Sequence, residues 1–183
     1  MKLTPSEVLG LINIGEDLSY PFEKLKPQIS MTYPGFSVET VGSLTSIAES
    51  YDSHRGQYHS TRLLALIEQE ISRLNVERLL GVTNLDLFVP GMNFVFGEAR
   101  CPGRVGIIST HRLKPNSANE SELFHGRVVK EAIHEIGHML GLRHCSDPLC
   151  VMHFSVQISD TDRKRAEPCI NCKSRLEMFS DEQ

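Results

Sequence analysis

Apolar residues recur along this chain at two spacings, one near two and one near 3.6 residues, and the two take turns. Residues 8–14 form a short apolar run that reads as a strand. Phe22, Leu25 and Ile29 mark one face of a short helix that Pro27 is expected to interrupt. Residues 36–41 alternate and stop at Gly42, as a strand would. Residues 42–60 are polar and rich in serine and glycine, so mostly loop is expected. Leu63, Leu66, Ile67, Ile71 and Leu74 return to helical spacing. Residues 79–89 are mostly apolar and close at the turn Pro90-Gly91, and residues 93–99 and 104–110 read as two further strands around Pro102-Gly103. A polar loop over 115–121, with Ser121 as candidate N-cap, leads into a long helix ending near Leu140. Beyond Gly141 the patterning lapses into a cysteine-bearing tail, with short helices expected over 159–167 and 173–179.

Composition narrows the class. The chain has 183 residues, 40% hydrophobic and 23% charged, enough to bury a core and unlike a disordered chain. A net charge of -4 argues against a nucleic-acid binder. No apolar run approaches the roughly 20 residues of a membrane span. The first residues lack a signal-peptide pattern, and five cysteines are an awkward count for a disulfide framework, so a reducing, cytoplasmic setting is expected. The partner expected is a peptide or protein substrate, with no nucleic acid and no membrane, and the protein itself is expected to be a monomer.

The long helix carries the chemistry. His134 and His138 stand four apart, hence on one helical face, where two imidazoles can grip one ion. Val129, Ala132, Ile133, Ile136 and Leu140 form the apolar face, and the wheel turns the histidines away from it. His144 would point away from the metal on a continuing helix, but Gly141 can end that helix in a left-handed turn and let the chain double back. The string His134-Glu135-x-x-His138-x-x-Gly141-x-x-His144 then supplies three nitrogen ligands and leaves a fourth tetrahedral position for water, the pattern of a catalytic zinc. Glu135, beside the pair, is the candidate general base.

This string is the zinc signature of the metzincin metallopeptidases, and the chain resembles the archaemetzincins in particular. His144-Cys145, Cys150-Val151-Met152 and Cys169-Ile170-Asn171-Cys172 carry the resemblance through the C-terminal third, and Gly91-Met92-Asn93-Phe94-Val95-Phe96-Gly97-Glu98-Ala99 is similar to a strand of that family. The resemblance implies catalytic zinc on His134, His138 and His144, Glu135 as general base and acid, and Met152 as the floor beneath the metal, the Met-turn. It also places this strand at the sheet edge above the cleft, where the unpaired backbone of Asn93, Phe94, Val95, Phe96 and Gly97 can take an extended substrate as a further strand; the alternative is a core strand with two packed phenylalanines. Some metzincins carry a tyrosine two residues after that methionine; here Phe154 lacks the hydroxyl.

Cys145 and Cys150, with Cys169 and Cys172, are spaced as a closed four-cysteine zinc site, which would staple a tail of low apolar content. Two disulfides, free thiols, or a nucleic-acid zinc knuckle with Arg163-Lys164-Arg165 as its basic patch are the alternatives. Cys101 is left over and reads as a buried or half-buried structural thiol in a turn.

The expectation is therefore a compact α/β metzincin-like domain. A mixed twisted sheet and two main helices over residues 1–141 lie above the cleft, and a zinc-stapled irregular and helical subdomain over 142–183 lies below. The activity expected is zinc-dependent peptide hydrolysis through a zinc-bound water activated by Glu135, with two zinc ions per chain, one catalytic and one structural. The rival is an inactive peptide-binding or zinc-binding module, which would have no need of Glu135.

Overall fold

The computed structural model describes residues 7–16, 18, 20–117 and 120–180, the last four as backbone only. Residues 1–6, read above for a signal peptide, and 118 and 119 of the polar loop lie outside the described residues.

A five-stranded sheet organises the chain. Its strands are β1 (Glu7–Ile14), β2 (Phe36–Leu44), β5 (Arg78–Thr83), β7 (Gly97–Ala99) and β8 (Val105–Ser109), in the order β2-β1-β5-β8-β7. The first four are parallel and β7 closes the edge antiparallel to β8. Parallel strands covered on both faces read as continuous apolar runs. β8 is buried at every position and β5 at all but its first. Side-chain alternation divides the core in two. Ile12, Ile14, Leu79 and Ile107 pack with Leu63, Leu64 and Ile67 of α2 (Ser60–Ile71). Leu9, Leu11, Leu80, Val82 and Ile108 pack with α1 (Lys26–Thr32) and α3 (Ser121–Met139) on the other face. That second cluster runs on into Cys150, Val151, Met152 and Cys172, so the tail shares the main core. The tail's helices are α4 (Ile158–Arg163) and α5 (Ile170–Ser180). No helix among the described residues is long and apolar enough to cross a membrane.

Several local expectations are corrected. Pro27 does not interrupt α1 but lies in its first turn, where its missing N–H costs no helical bond. β2 does not stop at Gly42; the pairing slips between Leu11 and Ile12, Gly42 takes φ +118°, and the strand runs on to Leu44. The loop expected over 42–60 holds β3 (Tyr51–Asp52) and β4 (Gln57–His59), which join β6 (Leu87–Phe88) in a second sheet of order β3-β4-β6. The run 79–89 is accordingly two strands. Of residues 93–99 only Gly97–Ala99 form a ladder; Val95 makes a single bridge to Leu87. The cap of α3 is Glu120 and not Ser121, and the first tail helix ends at Arg163.

Candidate active site

α3 brings the first two histidines together by its period alone. It ends where expected: Gly141 adopts φ +94°, and the Leu142 N–H donates to the Gly137 carbonyl at 2.9 Å across the turn. The chain then reverses. His144 Nε2 comes within 3.2 Å of His138 Nε2, which lies 3.1 Å from His134 Nε2.

These contacts are not hydrogen bonds between the rings. His134 Nδ1 lies 2.7 Å from the Val151 carbonyl and His138 Nδ1 lies 2.7 Å from the Leu142 carbonyl. A carbonyl only accepts, so both Nδ1 atoms carry the proton and both Nε2 atoms present bare lone pairs. Two bare lone pairs at 3.1 Å repel unless a cation lies between them. A tetrahedral zinc with Zn–N bonds of about 2.0–2.1 Å has nitrogen–nitrogen edges of roughly 3.3–3.4 Å, close to the spacing observed. Burial lowers the pKa of His134 well below the usual range and also lowers that of His138. Burial, with His138 nearby, brings His144 to about 4. Neutral imidazole is the ligating form, so the donor set fits zinc.

The face of α3 that carries the histidines is largely buried and opens only to the cleft. Glu131, His134 and Glu135 are buried there, opposite the buried stripe of Val129, Ala132, Ile133 and Ile136. Glu135 is 4% exposed and its Oε2 has no partner. Burial first, and then the carboxylates of Glu131 and Glu98, raise its pKa well above the usual range, with Lys164 opposing them. A buried carboxylate with an unused oxygen is costly unless it is kept for a ligand or a proton. The edge strand makes room for it: a Cβ at Gly97 would meet Glu135 Oε1 at 2.6 Å. Beneath the histidines, Met152 is fully buried, and a Cβ on Gly137 would collide with its sulfur.

A cleft of about 460 Å³ opens over these groups, walled by Phe94, Val95, Gly97 and Glu98 on one side and by His144, Phe154 and Val156 on the other. The Phe154 and His144 rings stand 4.8 Å apart. A cavity of about 550 Å³ lies elsewhere, at the carboxyl ends of β1 and β2, but no histidine or cysteine lines it, so the chemistry belongs to the cleft.

Of the residues expected to bind substrate, Asn93 does not line the cleft; its carbonyl accepts from Arg55 and Gln57. Phe94 and Phe96 pack edge to face at 5.2 Å and Phe96 is buried. The Val95 N–H is taken by the Leu87 carbonyl at 2.9 Å. Phe96 O and the Arg100 N–H bond to β8, so by strand alternation Gly97 and Ala99 direct their backbone groups to the open side. The free edge is therefore short and centred on Gly97–Ala99.

The cysteines gather as a second set. Cys145 Sγ lies 3.8 Å from Cys169 Sγ, and Cys150 Sγ lies 3.8 Å from Cys172 Sγ. A disulfide requires about 2.05 Å. A tetrahedron of sulfurs about 2.3 Å from zinc has edges near 3.8 Å, so these four fit zinc as well. His144 and Cys145, though adjacent, serve different sets. Cys101 is exposed, not buried or half-buried; its thiol lies 3.4 Å from the Leu142 carbonyl at the cleft rim. Arg163-Lys164-Arg165 makes no basic patch, because the Lys164 side chain is fully buried against Glu131. Neither partner was legible as a site residue: Glu131 has the look of an ordinary helical charge, and its match lies 33 residues away.

The model of peptidase family M54 matches residues 34–178. The archaemetzincin of Pyrococcus furiosus is 39% identical over 181 residues, covering 93% of each chain. That of Archaeoglobus fulgidus is 45% identical over 126 residues, 69% of this chain and 72% of its own. Among solved structures, the archaemetzincin of Methanopyrus kandleri superposes with a TM-score of 0.86 at 33% identity, over 98% of this chain and 99% of that one. The Archaeoglobus fulgidus archaemetzincin complexed with malonate gives 0.79 at 37% identity, over 91% and 99%.

Proposed function

Because this chain belongs to peptidase family M54, we propose a division of labour among its residues for hydrolysing a peptide bond. The protein is a zinc-dependent metallopeptidase. Zinc, when bound, supplies a Lewis acid that acidifies water and polarises a carbonyl. His134, His138 and His144 would hold it through Nε2, and the Val151 and Leu142 carbonyls fix the first two rings in the ligating tautomer. Met152 packs under this set as the Met-turn.

Glu135 takes the proton of the attacking water on its unpartnered carboxylate oxygen and delivers it to the leaving amine. Burial near two other carboxylates raises its pKa, and a cation held by the neighbouring histidines would favour the ionised base. The substrate lies extended along the cleft and adds as a strand to the outward backbone groups of Gly97 and Ala99. Phe154 contributes an apolar wall and no hydroxyl. The four cysteines would hold a second, structural zinc, giving two ions per chain, and cysteines without disulfides suit a reducing, cytoplasmic setting.

The observation that carries this reading is the convergence of three Nε2 atoms beside an orphaned buried carboxylate. An inactive binding module would gain nothing from burying Glu135 unpaired. Digestion of a peptide library, read by mass spectrometry, is expected to yield new termini with the native protein and to yield them at least about a hundredfold more slowly with Glu135→Ala. Equal cleavage by both, or by neither, overturns the assignment.

A further inference from the structure

Beside the zinc ligands, α3 buries a second carboxylate that hydrolysis does not use. Glu131 is 3% exposed and lies one turn before His134 and Glu135, on the same side of the helix. Its Oε1 accepts from Thr161 Oγ1 at 2.9 Å and from Lys164 Nζ at 3.3 Å. Lys164 also donates to the His153 carbonyl at 3.2 Å, and Thr161 Oγ1 lies 3.1 Å from Ser155 Oγ. A carboxylate only accepts, so Thr161 gives its one proton to Glu131 and Ser155 must donate to Thr161.

One oxygen of Glu131 thus holds both ends of the segment that follows Met152. The His153 carbonyl hangs from Lys164, and the Ser155 hydroxyl hangs from Thr161. Between and just after them stand Phe154 and Val156, which are 40% and 66% exposed and form the lower cleft wall. Exposed apolar side chains have little packing of their own to hold them in place. We propose that Glu131 is a positioning residue: through Thr161 and Lys164 it sets the lower wall of the substrate cleft against the zinc helix. This rests on the peptidase reading of the cleft. A carboxylate is required because the Lys164 ammonium is fully buried and needs a counter-charge and acceptors.

A purely structural tie between α3 and α4 is already present one turn earlier, which supplies a control. Arg127 grips Asp162 through two bonds of 2.7 and 2.8 Å, and neither residue lines the cleft. Glu131→Gln keeps the shape but removes the charge that holds Lys164. Steady-state kinetics on a cleaved library peptide should show KM raised at least about tenfold with a smaller change in kcat, since misplacing a positioning group costs up to about a hundredfold. Asp162→Asn should move KM less than about twofold while lowering the melting temperature. The Val156 methyl resonances should shift in Glu131→Gln and stay in place in Asp162→Asn, a readout independent of turnover. If Glu131→Gln does not fold, Glu131→Leu with Lys164→Met removes the pair together and should show the same rise in KM. Unchanged KM and unmoved Val156 resonances in the Glu131 variants overturn the proposal, as do equal effects from Asp162→Asn. Absence of cleavage by the native protein would instead sink the peptidase reading, leaving the Val156 resonances to decide the positioning role.

Discussion

Gly97 lies directly against Glu135: a single added carbon on the edge strand would lie 2.6 Å from the carboxylate of the zinc helix. The same carbon would lie 2.7 Å from the Ile107 carbonyl, so backbone blocks retreat on that side. Gly97→Ala is therefore expected to displace Glu135 and the edge strand together. Overpacking of this kind costs about 1–3 kcal/mol of stability. Activity should fall further than stability does, with zinc content unchanged, as checked by elemental analysis and turnover on one preparation.

Glu135→Ala should retain zinc, because the carboxylate is not a ligand. Turnover should fall by roughly 10²–10⁴-fold, the range for a lost general acid–base group. Turnover equal to the native protein's would remove Glu135 from the mechanism.

The two donor sets should separate by mutation. Elemental analysis is expected to find close to two zinc ions per chain, from three histidines and four cysteines. His138→Ala should lose the ion at the histidines and keep most of the stability. Cys169→Ser should lose the other ion and melt at a lower temperature, because binding a structural zinc contributes directly to folding. Equal unfolding by both variants, or a Cys145 disulfide in the purified protein, contradicts two independent sites.

The substrate strand predicts a backbone effect. Ala99 directs its N–H to the open side, so Ala99→Pro removes one donor without touching β8 pairing. KM for extended peptides should rise about tenfold, the equivalent of one lost hydrogen bond of roughly 1.4 kcal/mol. An unaltered KM would place the substrate backbone elsewhere. Proline at Val95 is no test, since that N–H is bound to Leu87 within the protein.

Stability and pH are linked through Glu135. In the metal-free protein its pKa lies above 4.5, so between 4.5 and the raised value the folded state holds a proton that the unfolded state has released. Stability conferred at acid pH is therefore lost as pH rises through that window. Glu135→Gln, always neutral, should raise the melting temperature of metal-stripped protein at pH 7–8 and have little effect at pH 4. The opposite pH dependence in thermal melts would rule out burial as the dominant influence on this group.

The metal chemistry was legible in the residue order because it is local. His134 and His138 meet through the helical period, Gly141 takes the one backbone region that permits reversal, and His144 follows within three residues. Cysteine pairs with two and four residues between them likewise carry much of their geometry in their spacing. The parallel core strands were legible for a related reason, since burial on both faces leaves an uninterrupted apolar run. What the tertiary structure decided rests on contacts between distant segments. Strand β7 is three residues long because Val95 pairs with Leu87 and Asn93 is held by Arg55 and Gln57, leaving only Gly97–Ala99 to β8. Strands β3 and β4 exist because they pair with each other and β4 pairs with β6, not because two or three residues carry a pattern. Lys164, set between two arginines, reads as a solvated charge; it is buried because Glu131, 33 residues earlier, neutralises it inside the fold. Local periodicity cannot encode a pairing at that separation, and only closure of the tail over α3 brings the two charges together.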